Sequence, residues 1–266
     1  MRTIFTSIFA LAAVACGGNP TTQGPAPTSD TVYLWISADQ DTYTKCSIAA
    51  GCNNGDQNHP LQGELHVANE PAIELKRAYL HFTLPTLPAG SEVLRAHLEV
   101  YNGAKRGDGR SDDVCLGITA LGESWSPFAL TWDDQPVDQA LSGEYGLSFR
   151  SQAWTTGNVL DAVQEHFADP STNHGFAITA PPNSELDKAF YSLNAQSRTA
   201  TDMGLAPRLL IEVKLGPGND PIVWPSNVAA DSDLPFAGKN VLIARTAVGD
   251  DFPEEWEPAI YEDRCN

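Results

Sequence analysis

The sequence predicts an all-β protein: an antiparallel β-sandwich of jelly-roll type with one short α-helix. Three observations carry that expectation. Apolar and polar residues alternate over short runs, the period of a strand with one buried face. Gly and Pro, 21 and 19 of 266 residues, punctuate those runs as a turn-rich chain requires. One stretch alone switches to helical spacing, and many short strands with a single helix fit a two-sheet sandwich.

Residues 31–36 and 41–45 read as the first two strands. Residues 74–84 alternate well, with Ala78, Leu80, Phe82 and Leu84 on one face and Tyr79, His81 and Thr83 on the other. A loop at 85–90 leads into Glu92–Tyr101, where Val93, Ala96, Leu98 and Val100 turn mostly inward and Arg95, His97, Glu99 and Tyr101 outward. Further strands are expected at 114–121, 129–132, 146–154, 175–180, 188–193 and 208–214. Between them, residues 156–168 place Val159, Leu160, Val163 and Phe167 at helical spacing. Thr155 or Thr156 is the expected N-cap and Asp169-Pro170 the stop. In the acidic stretch 216–266 only Val241–Ala244 looks like a strand, and Trp224, Phe236, Phe252 and Trp256 are available to dock it as an appendage.

The first sixteen residues read as an export signal. Arg2 precedes an apolar run over 4–14 that is too short to span a bilayer, and the run ends at Ala13-Val14-Ala15-Cys16. Small residues before a Cys resemble the lipobox of bacterial lipoproteins, although Ala13 stands where Leu is usual. A plain cleavage site is the alternative. On the lipobox reading, Cys16 is the lipidation site and the protein is exported and anchored by lipid at the outer membrane or cell surface. Residues 17–30 have almost no apolar content and read as a flexible tether, leaving 31–215 as the sandwich.

Export also organises the remaining cysteines. Cys46, Cys52, Cys115 and Cys265 form an even set for an oxidising compartment, and four cysteines allow three pairings. Cys46 with Cys52 closes an economical short loop, which leaves Cys115 with Cys265. A zinc site is the other use of such residues, but no CxxC spacing or clustered His supports it.

Charge narrows the partners. With a formal net charge of -18, the chain lacks the basic surface that nucleic acid or an anionic lipid face demands. Catalysis has little support either: no G-x-S-x-G, HExxH or nucleotide loop occurs. Carboxylate pairs such as Asp112/Asp113 and Asp133/Asp134 read as solvated turn acids, so the protein is not expected to be an enzyme.

Five stretches carry a family resemblance. They are Asp41-Thr42-Tyr43; residues 77–82 running into 84–90; Glu123-Ser124-Trp125 with residues 131–136; residues 173–178; and Phe190-Tyr191-Ser192 ahead of 206–209. In this order they resemble the DNRLRE-domain family, grouped with carbohydrate-binding module family 96, over roughly residues 31–215. The resemblance implies a secreted jelly-roll sandwich of the kind often appended to polysaccharide-active enzymes, with alginate a ligand of some members. Residues 30–215, however, hold 12 basic and 24 acidic side chains. That balance counts against a polyuronate and leaves neutral glycans open.

The strands on either side of the 85–90 loop are expected to pair antiparallel. Arg77, Tyr79, His81, Arg95, His97, Glu99 and Tyr101 would then share one ligand-binding face. Tyr rings stack on sugar CH faces while Arg, His and Glu bond hydroxyls. Lys105, Arg106 and Arg110 form the basic cluster on which an acidic sugar would land, with a solvated loop as the alternative reading, and Trp125, Trp132 and Trp154 read as packing residues. No cofactor is required. A structural calcium ion has candidate ligands in Asp39, Asp41, Asp108 and Asp112, with Asp113 and the loop 53–56 beside them, none at EF-hand spacing. The expected function is non-catalytic binding of a polysaccharide by a surface lipoprotein. The rival readings are a structural or adhesive surface protein with a protein or matrix partner and, third, a polysaccharide-degrading enzyme.

Overall fold

The computed structural model describes residues 31–52, 59–60, 62–70, 72–102, 116–139, 154–181, 186–192, 205–217, 222–224 and 241–244. The elements are β1 (Thr31–Ser37), β2 (Gln40–Ser47), β3 (Glu64–Glu70), β4 (Glu74–His81), β5 (Glu92–Tyr101), β6 (Gly117–Ala120) and β7 (Trp154–Asn158). Then come α1 (Leu160–Ala168), β8 (Phe176–Thr179), β9 (Leu186–Tyr191), β10 (Arg208–Lys214) and β11 (Val241–Ala244). Two antiparallel sheets result. One is ordered β11-β1-β10-β5-β7, the other β6-β8-β4-β3-β9, with β2 along the remaining edge of β4. From β4 through β8 every step along the chain crosses to the opposite sheet, which is jelly-roll topology.

Alternation explains why these residues make these strands. Val32, Leu34 and Ile36 of β1, Ala96, Leu98 and Val100 of β5 and Leu209, Ile211 and Val213 of β10 face inward. They meet Leu65 and Val67 of β3, Ala78 and Leu80 of β4, Phe176 and Ile178 of β8 and Phe190 of β9. Each large side chain so buried contributes about 1.5–3 kcal/mol. A bulge in β5 shifts the register against β10, so Val93 and Ala96, three residues apart, both reach the core.

Several expectations need correction. β4 and β5 do not pair. Along β4, β2 takes one edge while β8 and β3 divide the other, so no edge is free for β5. The 82–91 segment instead carries the chain from one sheet to the other. Residues 129–132 are not a strand: the N–H groups of Ala129 and Leu130 both return to the Ser126 carbonyl. β3 has no counterpart among the expected strands, because its inward positions hold little beyond Leu65 and Val67. Helix α1 starts later than its apolar spacing implied. The β-branched Thr155 and Thr156 stay in β7, opposite Val100 and Glu99, and Asn158 Oδ1 accepts from Leu160 N at 3.0 Å. The helix does stop at Asp169-Pro170. Residues 146–153 lie outside the described residues.

Cys46 and Cys52 form a disulfide across the 3₁₀ turn at Ile48–Ala50, with Cα atoms 4.7 Å apart. Cys115 and Cys265 lie outside the described residues, as do Cys16 and the rest of residues 1–30. Val241–Ala244 is a strand, as its sequence suggested, and joins β1 at the sheet edge. A further backbone bridge between Thr86 and Val223, and the packing of Ile222 and Trp224 on the core, tie the residues after β10 to the sandwich.

Candidate functional site

The outer face of the five-stranded sheet gathers rings and charges from four strands. Cross-strand register sets Ser37, Arg208, Glu99 and Thr156 in one row. Trp35, Leu210, His97 and Asn158 form the next, followed by Tyr33, Glu212 and Arg95. The guanidinium of Arg208 lies between two indoles, 3.7 Å from the Trp35 centroid and 3.6 Å from that of Trp154. Its Nε donates to Glu99, whose other carboxylate oxygen accepts from Thr156 at 3.5 Å. Burial draws the Arg208 pKa down, against the pull of the Glu99 carboxylate. One row over, Arg95 pairs with Glu212 at 3.2 Å, and Tyr33 donates to the same carboxylate.

At the end of β5 the rings continue. Tyr101 meets Trp154 edge-on at 5.4 Å and stacks on Tyr191, the planes 3° apart and the centroids 5.7 Å apart. Tyr191 belongs to the other sheet and comes within reach because Asn102 bridges to Phe190 at this edge. Trp154, Tyr101, Tyr191 and His97 are half-buried, and Arg95 is exposed. Stacked, immobilised rings flanked by paired ions, hydroxyls and amides make a surface for apolar faces edged with hydroxyls.

The other three expected site residues, Arg77, Tyr79 and His81, lie on the outer face of the opposite sheet. The seven therefore do not share a face: Arg95, His97, Glu99 and Tyr101 are together, and β4 presents its residues elsewhere. Tyr79 is fully buried under Leu121, Leu130 and Trp125, because the segment 121–139 folds across this face. Burial pushes its phenol up to about 12. Arg77 is spent on that cover and on β6, donating to Asp138, to Gln135 at 3.5 Å and to Thr119 of β6 at 3.3 Å. Trp125 donates to the His174 carbonyl at 2.8 Å, a packing role as expected. His81 Nδ1 donates to Asp39 at 2.7 Å. Burial alone would raise the Asp39 pKa, but His81 and Thr83 hold it below the ordinary value.

Among the calcium candidates, Asp39 is engaged by His81 and Thr83, Asp41 is buried, and Asp108 and Asp112 lie outside the described residues, as do Lys105, Arg106 and Arg110. The described residues do bring Glu70, Glu74 and Asp187 together, but Lys45 and Lys76 already pair with two of the three, Glu74 and Asp187.

Arg208, Trp35, Tyr191 and the place of Trp154 on the outer face were not legible in the sequence. The signal available was outward alternation in β1 and β10, with Trp35 and Arg208 at non-core positions. Nothing local places those strands beside β5. No curated protein matches the chain. The model of carbohydrate-binding module family 96 matches residues 32–209, so the chain belongs to that family of carbohydrate-binding modules.

Proposed function

We propose that this protein is a non-catalytic binder of a neutral polysaccharide, displayed at the cell surface by a lipid on Cys16. The glycan lies along the outer face of the five-stranded sheet. The observation that carries this reading is the Arg208–Glu99 pair clamped between Trp35 and Trp154 and continued by Tyr101 and Tyr191. The clamp fixes the rings before a ligand arrives, which lowers the ordering cost of binding. Neutrality follows from charge: Arg208 pairs with Glu99 and Arg95 with Glu212, so the arginines named on this face are already balanced by carboxylates.

Affinity gel electrophoresis with cereal β-glucan, xylan, galactomannan and alginate tests the reading. Retardation by at least one neutral polymer is expected, with loss of roughly tenfold or more in affinity for Trp154→Ala and Tyr101→Ala. Absence of retardation by all neutral polymers, or retention of affinity in both variants, overturns it.

A further inference from the structure

The face of the five-stranded sheet is not equally open across its width. On β1 the outward residues Tyr33, Trp35 and Ser37 are 8%, 9% and 6% exposed. On β7, at the sheet's other edge, the outward residues Trp154, Thr156 and Asn158 are all half-buried, as are His97 and Tyr101 beside them on β5. Glu99, between those two, is buried in its pair with Arg208. The surface a ligand can reach is therefore a strip running along β5 and β7, not a groove across the strands.

Asn158 ends that strip. Its Oδ1 accepts from Leu160 N at 3.0 Å, an Asx turn that leads from β7 into α1. The bond settles which end of the carboxamide is which: the oxygen faces the helix, and Nδ2 carries its two protons away from it. Among the described residues nothing accepts from Nδ2, and the atom is open to solvent. Its orientation is set before any ligand arrives, so a sugar oxygen can take the place of water at little ordering cost.

Spacing selects the ligand. Thr156 lies between Trp154 and Asn158 and turns its hydroxyl to Glu99, so one strand edge presents an indole, a hydroxyl and an amide in line. Trp154 and Asn158 are four residues apart on one face, about 13 Å of strand, which is more than two units of an extended pyranose chain. A disaccharide held on the Trp154 and Tyr101 rings stops short of Asn158. A longer chain reaches it only by staying straight, as β-1,4-linked glucan, xylan and mannan backbones do and a coiling α-1,4-glucan does not.

Resting on the sheet-face reading, the geometry points to Asn158 as the residue that selects ligand length and shape. The strip takes an extended β-1,4-linked chain of three or more neutral units along β5 and β7, with Asn158 Nδ2 donating to a sugar oxygen at the end away from Trp154. NMR titration with cello-, xylo-, manno- and malto-oligosaccharides of one to six units tests this, with Asn158→Asp and Asn158→Ser beside the parent. Both substitutions keep an oxygen to accept from Leu160 N and remove the amide donor, the serine without adding charge, so thermal unfolding should match the parent. In at least one β-linked series affinity should climb about fivefold or more between two and four units, as one added hydrogen bond allows. In both variants that climb should shrink to about twofold or less, with two-unit binding unchanged. Trp154→Ala should abolish binding at every length. A β-linked series that binds through Trp154 with no gain beyond two units, or with the same gain in both Asn158 variants, overturns this inference and leaves the sheet-face reading standing. Preference for the malto series does the same. Failure of every oligosaccharide and every polymer to bind removes the sheet-face reading and this inference with it.

Discussion

His166 ties stability to pH. Its folded pKa of about 4 lies below the ordinary 6.5, so on acidification the unfolded chain takes up a proton before the folded one does. The resulting stability is complete above about 6.5, is lost between 6.5 and 4, and amounts to about 3 kcal/mol. Burial lowers the His59 pKa with the same sign. Below that window Asp39, Glu74 and Asp187 continue the loss. Burial alone would raise those three, but their hydrogen bonds and cationic partners hold them low. Urea midpoints measured from pH 7.5 to 4 should therefore fall, and His166→Phe should flatten much of that slope. Tyr79 and Tyr101 form a second contrast at this scale. Tyr79→Ala empties a fully buried site and is expected to cost about 3–5 kcal/mol in chemical denaturation, with glycan affinity unchanged in whatever remains folded. Tyr101→Ala should do the reverse, sparing stability and removing affinity.

Single turns decide how the elements meet. Gly175, between α1 and β8, has φ +87°, and a Cβ there would overlap the Leu80 carbonyl oxygen on β4. Backbone meets backbone, so no side-chain rotation relieves the clash. Gly175→Ala should destabilise by about 3 kcal/mol, read from the urea midpoint. The Cys46–Cys52 bridge closes a short loop with a sequence separation of 6. Loop-closure entropy makes it worth about 2 kcal/mol, so reduction should lower stability by that amount under otherwise identical conditions. Strand identity was legible wherever alternation was strong: β1, β2, β4, β5, β8 and β10 lie close to their expected positions. It failed where the inward positions were few, as in β3. It failed again where Leu130, read as a strand residue, was instead used to roof Tyr79.

On the scale of the whole molecule, the proposed lipid on Cys16 is the feature that would place the proposed glycan-binding face outside the cell. Radiolabelled palmitate should enter the parent protein and not Cys16→Ala; an unlabelled parent would remove the anchor from the proposal. The sequence by itself determined the fold class, the family resemblance and which β5 residues turn outward; it favoured Cys46–Cys52 among three pairings, and the structure decided that bridge. Periodicity and short loops act within a few residues, and the order of the motifs is read directly along the chain. Only the tertiary structure decided which strands are neighbours. It set β4 and β5 in opposite sheets, carried Arg208 to Glu99 across 109 residues, and laid residues 121–139 over Tyr79. The physical reason is that alternation specifies the face a side chain takes on its own strand but not the strand beside it. That neighbour is selected by how two complete sheets bury their apolar faces against each other.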